Sequence, residues 1–100
     1  MSLNTNLSDD GKVLTFSIND SVDLSKYRPM LEAANDFDKD NNVTYIVDLC
    51  NCAELRDSGL GVLLNLSRKQ NKEINLINCT PEVTKRIKNS VYSSSFNLSG

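Results

Sequence analysis

Strand-like and helix-like patterns alternate along this chain from Val13 to Ile87, and that alternation limits the fold more than any other feature. "KVLTFSIN" changes face at every residue, with Leu14, Phe16 and Ile18 on one side and Val13, Thr15 and Ser17 on the other. That is the period of a half-buried strand. The preceding "SDDGKV" holds Asp-Gly, a tight-turn signal, so the weaker "LNTNL" reads as the other arm of a hairpin. In "LSKYRPMLEAANDF", Tyr27, Met30, Leu31, Ala34 and Phe37 recur at helical spacing. Ser25 is placed to cap this helix, and Pro29 is tolerable near its first turn. "VTYIVDLC", from Val43 to Cys50, is β-branched and nearly continuously apolar, which predicts a strand covered on both faces. "EINLINC" is the next strand. "TPEVTKRIKNS" is a short helix with Thr80 as cap, Pro81 at the first helical position, and Val83 and Ile87 on its buried side. A last short strand is expected around Phe96 to Leu98.

The order β-β-α-β-α-β-α, with a final β, predicts an α/β fold. Its sheet is mostly parallel with four to five strands, an N-terminal β-hairpin and three helices. One hundred residues suffice for a single domain, residues 1–100. In such sheets the working loops leave the carboxyl ends of the strands. The loop "NCAELRDS" does so and delivers Ser58 to the start of the helix in "RDSGLGVLLNLSRKQ". That helix is odd, because Gly59 and Gly61 fall in its opening turns. Each glycine inside a helix costs roughly 1 kcal/mol relative to alanine. Bare backbone at these positions lets a partner protein approach Ser58 closely.

Several chemistries fall away. Histidine is absent, which removes Ser-His-Asp and Cys-His catalysis and histidine-ligated metal sites. No carboxylate pair is placed for acid–base work, so no enzyme activity is expected. A net charge of -2 opposes direct nucleic-acid binding, which requires a positive stripe. No apolar run approaches the length of a membrane span. The amino-terminal "MSLNTNLSDD" lacks a basic region followed by an apolar stretch, so no signal peptide is expected. Three cysteines without a disulfide framework fit a reducing compartment, and the expected location is cytoplasmic.

Three further motifs read as structure. Gly59-Leu60-Gly61 has Leu64 where a dinucleotide fingerprint needs its third glycine. "DFDKDNN" spaces Asp36, Asp38 and Asp40 like the front of a calcium loop, but Asn41 and Val47 stand at the positions of its glycine and its last ligand. A solvated acidic turn is the plainer reading. Cys50, Cys52 and Cys79 read as buried small hydrophobes rather than a thiolate cluster, since zinc usually takes four ligands. No cofactor and no metal is expected.

Ser58 has two readings. Serine is a favoured N-cap, contributing about 1 kcal/mol, and Asp57 would serve nearly as well. A helix N-terminus also tolerates an added phosphate, so Ser58 equally suits a phosphorylation switch.

"YIVDLCNCAELRDSGLGVLLNLSRKQNKEINLINCTPEVTKRI" resembles the STAS domain family, particularly bacterial anti-sigma factor antagonists. Val47-Asp48-Leu49, Ser58-Gly59-Leu60-Gly61 and Thr80-Pro81 match the family pattern in order and spacing, and Asp23 falls where an acidic residue often precedes the first helix. The resemblance implies partner switching. The unphosphorylated antagonist binds an anti-sigma factor that is also a serine kinase, phosphorylation at Ser58 releases it, and a serine phosphatase restores the cycle. It places Asp23, Asp57, Ser58, Gly59, Leu60 and Gly61 in the partner surface. The alternative is a constitutive STAS adaptor subunit of a transporter or signalling complex, with Ser58 only a helix cap. Two departures stand out. Arg56-Asp57 replaces the usual acid-serine pair, and "VYSSSFNLSG" leaves little room for the additional C-terminal helix of many relatives.

Overall fold

A computed structural model of the chain describes residues 3–38, 42–91 and 93–99. The hairpin forms as read. Strand β1 (Leu3–Leu7) pairs antiparallel with β2 (Val13–Ile18), with Leu3 opposite Ile18 and Leu7 opposite Leu14. Gly11 takes the left-handed conformation that the turn requires, at φ 72°. The Asp10 carboxylate closes the turn by accepting from the Ser8 hydroxyl at 2.6 Å and the Lys12 N–H at 3.0 Å.

Strands β4 (Thr44–Asp48), β6 (Ile74–Ile77) and β7 (Phe96–Ser99) extend the sheet in parallel, in the order β1-β2-β4-β6-β7. Every crossover therefore steps the same way across the sheet. Crossovers of one hand then carry α1 (Tyr27–Phe37), α2 (Asp57–Gln70) and α3 (Pro81–Lys88) to one face. Burial along the strands follows. Leu14, Phe16, Ile18, Tyr45, Val47, Ile74 and Leu76 share one core with Met30 and Ala34 of α1, Val62, Leu63 and Leu66 of α2, and Val83 and Ile87 of α3. On the opposite face Thr15, Ile46, Asp48, Asn75 and Ile77 are half-buried, and Thr44 and Asn97 are exposed. This corrects the expectation for β4, which is covered on one face only. Its apolar run breaks into inward Tyr45 and Val47 and outward Ile46.

Two short strands lie where loops were expected. Strand β3 (Ser21–Val22) pairs in parallel with β5 (Glu54–Leu55) as a separate two-stranded sheet. Two residues cannot show a period, so neither strand is visible as a pattern. Val22 and Leu55 are nevertheless core residues. Ser25 does not cap α1, whose cap position is Lys26 with no side-chain capping bond; Asp23 caps the turn before it. A short 3-10 turn, Leu24–Lys26, leads into the helix, and the Asp23 carboxylate accepts from the Ser25 N–H at 3.0 Å. Phe37, expected on the buried face, is 46% exposed in the last turn of α1. Thr80 does cap α3, accepting from the Val83 N–H, with Pro81 next.

The acidic run is also not simply a solvated turn. Lys39, Asp40 and Asn41 lie outside the described residues, but Asp38 is buried. Its carboxylate accepts from the Tyr45 hydroxyl at 2.6 Å, the Val43 N–H at 3.1 Å and the Lys72 ammonium at 2.9 Å. Lys72 also donates to the Val43 carbonyl and lies 5.0 Å from the centre of the Tyr45 ring. Burial pushes the Asp38 carboxyl up, but the Tyr45, Lys72 and Val43 donors outweigh it and hold it below the usual carboxylate value. Burial first, and Asp38 second, push the Tyr45 phenol above its usual value. This network joins the end of α1, the start of β4 and the segment after α2, at the opposite end of the sheet from Ser58.

Candidate functional site

The segment after β4 turns through Leu49–Cys52, runs as β5 and enters α2 at Asp57. Arg56 occupies the cap position with extended backbone and makes no side-chain capping bond. Ser58 is therefore the second residue of the helix, exposed to solvent, and not its cap. By position the first N–H groups of α2 have no partner inside the helix, and the Leu60 N–H makes the first turn's bond, to the Arg56 carbonyl at 3.0 Å.

The two glycines have different causes. Gly59 is buried, and a Cβ there would stand 2.9 Å from the Val22 Cβ and inside contact distance of the Val22 carbonyl. Glycine at this position lets β3 lie against the first turn of α2. A Cβ on Gly61 would meet nothing within 4 Å. Gly59 thus lies beneath the surface around Ser58, while Gly61 and half-buried Leu60 lie nearer to solvent. Gly59-Leu60-Gly61 is wholly helical, not the strand-to-helix turn of a dinucleotide site.

The Val22–Gly59 contact sets β3, and with it the segment that enters α1, against the first turn of α2, and Asp23 follows Val22 in that segment. Val22 is held by pairing with Leu55 and by the Arg56 N–H on its carbonyl at 3.1 Å. The Asp23 carboxylate binds Ser25 through both its hydroxyl and its N–H, accepts from the Ser21 hydroxyl at 3.1 Å, and lies 3.8 Å from the Lys26 ammonium. The Ser25 hydroxyl is the main reason its carboxyl lies below the usual value. Lys26 itself is buried and pairs with Asp20 at 3.2 Å. Beside Asp23, Leu24 is 70% exposed. Sequence reading passed over it, although its position outside the helical spacing of Tyr27, Met30 and Leu31 was the available signal.

Asp57 reaches the other way, forming an ion pair with Arg86 of α3. The carboxylate is 94% exposed and the guanidinium 42%, so the pair contributes at most about 1 kcal/mol. Between them runs a groove of about 460 Å³, with Leu55, Asp57 and Ser58 on one wall and Glu82, Val83 and Arg86 on the other. Sequence reading missed Arg86, because nothing in local spacing relates it to Asp57.

The cysteines are free thiols: Cys52 is buried, Cys79 half-buried, and Cys50 exposed, which corrects its expected burial. The Cys52 thiol donates to the Glu54 carbonyl at 3.2 Å, and burial pushes the Cys52 and Cys79 thiols up. Among the described residues no group of acids and cysteines is arranged to hold a metal ion. None of their helices is long and apolar enough to cross a membrane.

No family model matches the sequence. A STAS-domain containing protein of Pseudomonas aeruginosa is 34% identical over 98 residues, covering 92% of this chain and 93% of that protein. The chain belongs to the STAS-domain family. Solved structures share its fold. The anti-sigma factor antagonist SpoIIAA in its unphosphorylated form superposes with a TM-score of 0.70 at 14% identity, covering 98% of this chain and 87% of that one. A provisionally named anti-sigma factor antagonist of Thermotoga maritima gives 0.73 at 14% identity, covering 96% and 84%. In this STAS domain the five-stranded sheet carries the Ser58 helix, and the small β3–β5 sheet lies against its first turn through Val22 and Gly59.

Proposed function

We propose that this STAS domain is an anti-sigma factor antagonist that works by partner switching in the cytoplasm, with no catalytic activity of its own. The unmodified domain binds an anti-sigma factor that is also a serine kinase. The kinase moves the γ-phosphoryl group of ATP to the Ser58 oxygen, and the complex separates. A serine phosphatase removes the phosphate and restores binding. The observation that carries this reading is an exposed Ser58 hydroxyl at the second position of α2, unused as a cap. Likeness of fold to antagonists of the SpoIIAA type supports the class of partner. The physics supports the direction of the switch. A phosphate adds nearly two negative charges, which the helix N-terminus accommodates but a close interface must desolvate or repel. Asp23, Asp57, Leu60 and Gly61 contribute to the partner surface around Ser58, with Gly59 setting its backbone from below.

Ser58→Asp is expected to weaken binding of the purified kinase partner by about tenfold or more, while Ser58→Ala binds like the parent chain. Calorimetric titration of both variants is the test, and equal affinities would end the switch reading. The adaptor alternative gave Ser58 only a capping role, with a loss of about 1 kcal/mol on Ser58→Ala. With Arg56 in the cap position, Ser58→Ala is instead expected to move the unfolding free energy by less than about 0.5 kcal/mol.

A further inference from the structure

We propose that Arg86 of α3 reads the state of Ser58: it holds Asp57 in the unmodified chain and takes the phosphate once Ser58 is phosphorylated. The inference rests on the reading of Ser58 as a modified residue. Asp57 and Ser58 are successive residues on one wall of the groove, and Arg86 stands on the wall opposite. The guanidinium is the more sheltered member of its pair and the Asp57 carboxylate is almost fully in solvent. The acid is therefore the member of the pair that leaves for solvent at less cost. A phosphoserine offers three acceptor oxygens and nearly twice the charge of a carboxylate, and guanidinium pairs with phosphate bidentately. Of the two guanidiniums that line the groove, that of Arg86 is the more sheltered, at 42% exposed against 59% for Arg56. Arg56 is 3.5 Å from Glu54 and pairs with it, Glu82 is acidic, and Lys85 lines only the adjoining hollow. Phosphorylation then exchanges one α2–α3 link for a stronger one. Asp57, standing where the family usually has a serine, is the resting occupant of Arg86.

Phosphoserine is placed at position 58 of the full chain by genetic encoding, which makes the test independent of any kinase. Titration followed by phosphorus NMR then gives the second ionisation of the phosphate. With Arg86 present it is expected to lie lower than in Arg86→Ala by about half a unit or more, with Arg86→Lys between them. Circular dichroism confirms that each variant is folded. Equal ionisation in the folded Arg86 and Arg86→Ala chains overturns the proposal. Partner binding is not part of this readout, so a failed switch in the binding titration and a failed role for Arg86 are separate results.

Discussion

Asp38→Ala is expected to lower the unfolding free energy by about 3 kcal/mol or more, the low end for breaking a buried ion pair. The reason is what the substitution leaves behind. The Tyr45 hydroxyl and Val43 N–H lose their acceptor, and the Lys72 ammonium loses its counter-ion while still lying against the Tyr45 ring. A buried donor without a partner costs more than the net worth of the bond it made. Urea unfolding at neutral pH measures the loss, and a change below about 1 kcal/mol would mean that water replaces the carboxylate at little cost. The same group predicts a pH dependence. Its native carboxyl titrates below the unfolded value of about 3.9. Its contribution is therefore complete above that pH and is lost as pH falls through the lower native value. Asp38→Asn should flatten this part of the stability profile below about pH 4.

Gly59→Ala and Gly61→Ala are expected to act in opposite directions, although both place alanine in the same helix. At Gly59 the new methyl group meets the Val22 carbonyl, and backbone on both sides must move. Overpacking of this kind costs typically 1–3 kcal/mol, and a backbone obstacle puts this site at about 3. At Gly61 the space is open, and the better helix former should stabilise by about 0.5–1 kcal/mol. Urea midpoints for the two variants decide the matter, and stabilisation by both would show that β3 does not press on α2. Gly59→Ala should also weaken partner binding, since it displaces the first turn of α2, which carries Ser58, from β3.

Much of the architecture could be read from the chain. The alternation in "KVLTFSIN", the Asp-Gly turn and the Thr80-Pro81 start are local signals, and each produced its element. Errors arose where a local pattern has two tertiary outcomes. A continuous apolar run such as "VTYIVDLC" is consistent with two covered faces or one, and strand order across the sheet decided for one. Asp38 looks like any acid in a polar turn until Tyr45 and Lys72 arrive from 7 and 34 residues away. At the candidate site the sequence singled out Ser58 and its glycines, but assigned both glycines a single cause where the structure shows two.

By itself the sequence determined the strands of the main sheet, the three helices, their order and the family pattern around Ser58, because hydrophobic period, turn chemistry and helix-start signals act within a few residues. Only the tertiary structure decided which groups share the Ser58 surface. Gly59 is bare because Val22 lies against it, and Asp57 is paired because α3 brings Arg86 across the groove. Each depends on contacts between segments some 29 to 37 residues apart, and no local pattern encodes a partner at that separation.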